Sequence, residues 1–198
     1  MMPWTHAVLA YLAFSLATHA RSRTPPTTRE TVLVALGAVL PDLVDKPLAW
    51  QFGVLEGGRT LAHSVFVAVP LSAAAVALAV RRGKPRLGLA FAAGYLLHLP
   101  GDLLPEFLQT GEIAVGTLLW PVTDGGGGQG ESFVGEFTAN VVPYAREIAG
   151  AILSGEPSRG LLLFFLVWIF AVSVWVYDGM PVVRDGYRWL RRSMARGN

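Results

Sequence analysis

Residues Gly160–Tyr177 read GLLLFFLVWIFAVSVWVY, with no charged residue and only Ser173 as a polar break. A helix that crosses a bilayer needs roughly 20 apolar residues, with about 17 as the lower limit. Leu61–Val80 and Leu87–Leu104 meet that length too, while Trp4–Thr18 and Thr31–Val44 are shorter and need tilt, burial or support from neighbours. Three adequate segments in 198 residues are hard to hide in one soluble core. The composition agrees: 53% hydrophobic and 15% charged, against about 45–50% and about 25% for an ordinary soluble domain. So little charge excludes a disordered chain. The absence of cysteine excludes a disulfide framework, a Cys-ligated zinc finger, an iron–sulfur site and a Cys nucleophile.

Charge placement orients these segments. The first run lacks a positive n-region, and Arg21 and Arg23 follow it, which fits a retained helix and not a signal peptide. Arg21, Arg23 and Arg29 lie between the first and second segments. Arg81, Arg82, Lys84 and Arg86 lie between the third and fourth, and Arg184, Arg188, Arg191, Arg192 and Arg196 follow the fifth. If each segment crosses once, most of the sixteen basic residues share one side, which the positive-inside rule assigns to the cytoplasm. Lys46, Arg59, Arg146, Arg159 and most acids, among them Glu131 and Glu136, take the other. The expected fold is an all-α, polytopic transmembrane bundle of about five helices, N-terminus outside and C-terminus cytoplasmic. The basic balance is then a matter of topology, and no nucleic-acid partner is expected.

One membrane-embedded domain is expected over residues 1–198. Residues 1–121 carry the site, 122–159 form an extracytoplasmic loop, and 160–198 form the last spanning helix and a basic cytoplasmic tail. The Asp124-Gly-Gly-Gly-Gly-Gln-Gly run lacks the Gly-Lys-Ser/Thr of a phosphate-binding loop and reads as a mobile linker. Residues 132–153, with Phe133, Phe137, Val141, Val142, Ile148 and Ile152, read as one or two helices on the membrane surface.

Ionisable residues at membrane depth are costly, so each is a functional candidate. His6 starts the first segment, Asp42 and Asp45 end the second, His63 and Ser64 start the third, and His98 and Asp102 end the fourth. On the topology drawn from Arg and Lys alone, all of these fall on one face, the outer one. His98 and Asp102 are four apart and project from the same side of a helix. Three imidazoles and two or three carboxylates suit zinc, manganese or iron. They suffice for one metal, or for two sharing a carboxylate as in phosphoester hydrolysis. His19 falls on the cytoplasmic side, away from the rest. Ser64 adjoins His63, but neighbours in sequence do not face each other on a helix, and there is no Gly-x-Ser-x-Gly element, so a Ser–His–Asp triad ranks below a metal site.

Leu-Pro-Asp-Leu-Val-Asp at 40–45, Arg-Thr-Leu-Ala-His-Ser at 59–64, His-Leu-Pro-Gly-Asp at 98–102 and Leu-Leu-Trp-Pro at 118–121, with Thr5-His6 ahead of them, resemble the YdjM-like inner-membrane proteins. A membrane-bound metal-dependent hydrolase activity has been inferred for that family. The resemblance implies metal ligation by His6, Asp42, His63, His98 and Asp102. Gly58 stands where the family often has a His, and Ala62 where it has a Thr. If that His is a ligand elsewhere, one metal instead of two is implied here. Residues 122–198 carry no motif that matches.

The expectation is therefore a membrane-bound hydrolase holding one or two divalent ions, zinc first and manganese or iron next, with metal-activated water as nucleophile. Asp45 would act as general base or as a group orienting a ligand. Arg59 would hold a phosphate oxygen, and Trp120 would border the pocket. The bilayer and an amphiphilic or lipid-linked phosphate are the expected partners. A structural metal site in a membrane scaffold is the alternative. A metal or solute transporter ranks third, since the polar groups gather toward one face and no repeat is visible.

Overall fold

A computed structural model describes residues 3–128 and 132–196 of the chain. Those residues form seven α-helices and no strand. They are α1 (Pro3–Ser22), α2 (Thr28–Lys46), α3 (Val65–Arg81), α4 (Pro85–Thr110), α5 (Phe133–Ser154), α6 (Arg159–Tyr177) and α7 (Val183–Arg196). A π-helical turn, Pro47–Gln51, continues α2, and a 3-10 turn, Val115–Leu118, follows α4.

Local chemistry sets the boundaries. A capping box opens α2: the Thr27 hydroxyl accepts from the Glu30 N–H, and the Glu30 carboxylate accepts from the Thr27 N–H at 2.7 Å. Pro85 opens α4, where a missing N–H costs nothing, and Gly111, at φ 76°, closes it. Each apolar segment of the sequence becomes a helix, but the third starts at Val65 and not at Leu61. Residues 61–64 stay irregular because the Asp45 carboxylate holds the backbone N–H groups of Thr60, Ala62 and His63 in a turn. Among the described residues, two helices are long and apolar enough to cross a membrane: Pro85–Leu108 of α4, and α6. The third apolar helix, α3, is shorter. At 1.5 Å per residue α6 is about 28 Å long, close to the roughly 30 Å hydrocarbon core of a bilayer.

Helices α1, α2 and α4 make the core, with α2 and α4 packed most closely. Glycine permits this. A Cβ on Gly37 would collide with the Phe91 carbonyl, and one on Gly94 would collide with the Val34 carbonyl. Close approach through small residues is how membrane helices gain contact where apolar burial gives no drive. Ala10, Val34, Ala38 and Ala90 fill the interface with Tyr11 and Phe14. Tyr95 and Leu99 of α4 meet Ala68 of α3 in a second cluster.

The arginine-rich connections gather at one end. Arg86 bonds Thr24 and pairs with Glu30 at 2.8 Å. The Thr28 hydroxyl accepts from the Val182 N–H and donates to Asp185. That bond, with Arg184 alongside, holds the Asp185 carboxyl below the usual range. At this same end buried Asp178, just past α6, accepts from Tyr11 at 2.5 Å and Ser15 at 2.7 Å, and pairs with His19 at 2.6 Å. These three lie four residues apart on α1, so one helix face clamps α6 to the core.

The glycine run is not a free linker where it is described. Gly126 exchanges two backbone hydrogen bonds of 2.9 Å with Arg59, and the Gly58 N–H reaches the Gly128 carbonyl. A Cβ on Gly125 would strike the Thr60 methyl, and one on Gly57 would lie 2.6 Å from the Gly126 carbonyl. Glycine is needed here for close approach. Gln129, Gly130 and Glu131 lie outside the described residues. Residues 132–153 form a single helix, α5.

Candidate metal centre

The opposite end of the bundle carries the other polar residues. Asp42 comes from the last turns of α2, His63 from the turn before α3, and His98 and Asp102 from successive turns of α4. One nitrogen or oxygen from each lies within 4.8 Å of the others. His63 Nε2 is 3.0 Å from His98 Nε2, 3.6 Å from Asp42 Oδ1 and 3.4 Å from Asp102 Oδ2. His98 Nε2 is 3.7 Å from Asp102 Oδ2 and 3.9 Å from Asp42 Oδ1. Four donors around one ion at bonds of about 2.0–2.1 Å stand roughly 3.3 Å apart, and the histidine-centred spacings here, 3.0 to 3.9 Å, lie around that value.

The ring nitrogens facing away fix the tautomers. His98 Nδ1 lies 2.6 Å from the Ala38 carbonyl, which only accepts, so Nδ1 carries the proton and Nε2 a lone pair. His63 Nδ1 lies 2.8 Å from Asp45 Oδ2 and donates for the same reason. With both rings neutral, as metal ligation requires, the two Nε2 lone pairs face the same space across 3.0 Å; with one ring protonated, the contact is a hydrogen bond. Two carboxylates flank them, and Asp42 Oδ2 has no hydrogen-bond partner among the described residues. Acceptors gathered this way call for positive charge among them, which Lys46 supplies to Asp42 and a proton or a metal ion would supply between the rings. The donor set fits a divalent ion of the zinc, manganese or iron kind.

The remaining candidates surround this cluster. His6 Nε2 is 3.0 Å from Asp102 Oδ1, and its ring stacks on His98 with centroids 3.9 Å apart. Gly101 makes room, since a Cβ there would lie 2.9 Å from the His6 ring. Asp45 is completely buried and receives Thr60 N–H, Ala62 N–H, His63 N–H and His63 Nδ1–H. Most of these bonds fall on Oδ2, which holds the His63 turn and ring in place. The Lys46 ammonium pairs with Asp42 Oδ1 at 2.7 Å and lies over the Trp50 ring. Arg59 is carried beside the glycine run by its pairing with Gly126. Ser64 caps α3 and donates to the Trp120 carbonyl at 2.6 Å, which ties the Leu-Leu-Trp-Pro element to the His63 turn and commits the hydroxyl. His19 is at the far end, on Asp178.

Sequence reasoning did not separate the two roles open to Asp45, and it missed the Asp178 clamp. The signal for the clamp was present: a carboxylate directly after the most apolar run, and Tyr11, Ser15 and His19 at four-residue spacing.

The family model described as YdjM inner membrane protein matches residues 1–181. The chain belongs to the YdjM inner membrane protein family. That match reaches well past the motif-bearing residues 5–121 and takes in α5, α6 and the Asp178 clamp. Neither a curated protein nor a solved structure matches the chain. Membership in the YdjM family associates this chain with a lipid bilayer, and α4 and α6 are the helices fitted to cross it.

Proposed function

We propose that this YdjM-family protein is a membrane-bound metal-dependent hydrolase of phosphoester or lipid-linked phosphate substrates. We read residues 1–198 as one membrane-embedded domain with five crossings and its site toward the outer interface. The observation that carries the metal is the convergence of His63 Nε2, His98 Nε2 and the Asp42 and Asp102 carboxylates in one buried cluster. Asp42, His63, His98 and Asp102 would hold a divalent ion, and His6 would hold Asp102 or join as a fifth ligand. Such an ion, when bound, supplies Lewis-acid chemistry, acidifying water and polarising a phosphoryl oxygen. The chain's own residues do the rest. Asp45 takes the Nδ1 proton of His63 as a hydrogen bond, which keeps Nε2 free and the ring in place. The Ala38 carbonyl does the same for His98. Lys46 neutralises Asp42 and would draw an anionic headgroup toward the site, with Arg59 on the same side to receive a phosphate oxygen.

One observation favours a structural metal instead. His63 and His98 are almost fully buried and Asp42 is 4% exposed, whereas a catalytic ion keeps a position open to water or substrate. The deciding experiment is the metal content of detergent-purified protein, wild type beside a His98→Ala/Asp102→Ala variant. About one equivalent of zinc, manganese or iron in the wild type, lost in the variant with α-helical content retained, is the expected result. A wild type that stays metal-free after loading with each ion would overturn the proposal. Metal without turnover of any phosphoester in a substrate screen would leave the structural reading.

A further inference from the structure

We infer that α7 is an interfacial helix that binds the anionic phospholipid surface of the leaflet where α6 ends. Its sequence, VRDGYRWLRRSMAR, repeats Val183, Tyr187, Leu190 and Met194 at intervals of four, three and four. At 100° per residue these four fall on one narrow stripe. Arg184 and Arg191 flank the stripe on one side, and Arg188 and Arg192 lie further round the helix. The stripe is open: Leu190, its least exposed member, is 49% exposed and Tyr187 is 61% exposed. An apolar stripe of this size facing water would be unfavourable, and a charged arc beside it is the pattern of a helix lying in a membrane interface.

Position in the fold identifies the surface. Helix α6, exposed along almost its whole length, ends at Tyr177, and α7 starts at Val183. Between them the chain turns through Gly179, at φ 80°, and Trp175 donates to the Pro181 carbonyl. The first turn of α7 is then pinned through Val182 and Asp185 to Thr28, the first residue of α2. The helix therefore starts where the spanning helix leaves the bilayer and has no length of chain with which to move away. Tyr177, exposed at the end of α6, is the kind of residue found at membrane interfaces. Charge selects the lipid. The helix carries several arginines and a single acid, Asp185, already engaged by Thr28. Guanidinium groups bind phosphate in paired hydrogen bonds, and a basic face is drawn to anionic headgroups.

The inference rests on α6 crossing the bilayer and is independent of the metal centre. The chain has no cysteine, so single labels are clean. Met194→Cys on the stripe, Arg192→Cys on the arc and Leu166→Cys on α6 would each carry a nitroxide, in full-length protein reconstituted into nanodiscs. The discs would be phosphatidylcholine alone or phosphatidylcholine with phosphatidylglycerol. With phosphatidylglycerol, the label at 194 should be relaxed by oxygen and shielded from a water-soluble nickel chelate, and the label at 192 should show the reverse. High salt or pure phosphatidylcholine should shrink that contrast several-fold. Equal nickel access at 192 and 194 would overturn the inference. So would shielding of 194 from oxygen and nickel together, the mark of a protein partner or a second copy. An unchanged contrast in pure phosphatidylcholine would overturn the anionic preference. Nickel access at 166 would show that α6 does not cross and would remove the basis of the inference, whatever the metal content.

Discussion

Asp45 shows how much one side chain can organise. Its carboxylate gathers three backbone N–H groups and a ring nitrogen from residues 60–63. The same contacts shape the turn and aim the His63 Nε2 at the cluster. Asparagine has the same size but offers one acceptor oxygen and places an amide N–H₂ against groups that already donate. Asp45→Asn should therefore destabilise the protein by about 1–3 kcal/mol, and weaken metal binding by about 10–100-fold. Thermal unfolding with and without metal, together with competition against a chelator, would separate the two effects. The sequence showed that His98 and Asp102 share a helix face, because four-residue spacing is a local property. It did not show that Asp45 holds the His63 turn and ring in place. That depends on a turn fifteen residues downstream closing around it, which no local pattern encodes.

At the scale of elements, the α2–α4 contact joins fold and site. Gly94 brings α4 against the Val34 carbonyl, and one turn further on His98 reaches the Ala38 carbonyl. Alanine in place of a helical glycine ordinarily adds about 0.5–1 kcal/mol of stability. Here the new Cβ would collide with backbone, and overpacking costs about 1–3 kcal/mol, so Gly94→Ala should be destabilising on balance. It should also weaken metal binding by moving His98 off Ala38. A rise in the unfolding midpoint would show that the helices separate without strain. Apolar runs made the helices legible in the sequence, and the helix ends followed from Thr27, Pro85 and Gly111. The docking of the glycine run was not legible, because a string of glycines gives the same pattern whether it is free or held in a tight crossing. The stripe on α7 was present in the sequence too, but the density of arginine beside it reads first as a tail.

For the whole molecule, polar chemistry is divided between two ends. Basic connections, Glu30 and the Asp178 clamp occupy one, and the histidine–aspartate cluster the other. The sequence, read from charge placement alone, carried the expectation of a polar cluster at one end and basic connections at the other. If the five segments cross as proposed, positions 52 and 84 lie on opposite sides of the membrane. Cysteines placed at Phe52 and Lys84 should then react with an impermeant maleimide from opposite faces of oriented vesicles. Labelling of both from one face would place α3 outside the membrane as a crossing element.

The Asp178 clamp also bears on the order in which the protein is made. Every residue of the histidine–aspartate cluster, His6 through Asp102, precedes Asp178 in the chain. As the chain leaves the ribosome, α1, α2 and α4 can pack and bring the cluster residues together while α6 is still unsynthesised. Tyr11, Ser15 and His19 meanwhile wait for a carboxylate that arrives only near the end of translation. The cluster residues thus belong to the early chain, and the carboxylate that closes α6 onto α1 belongs to the late one.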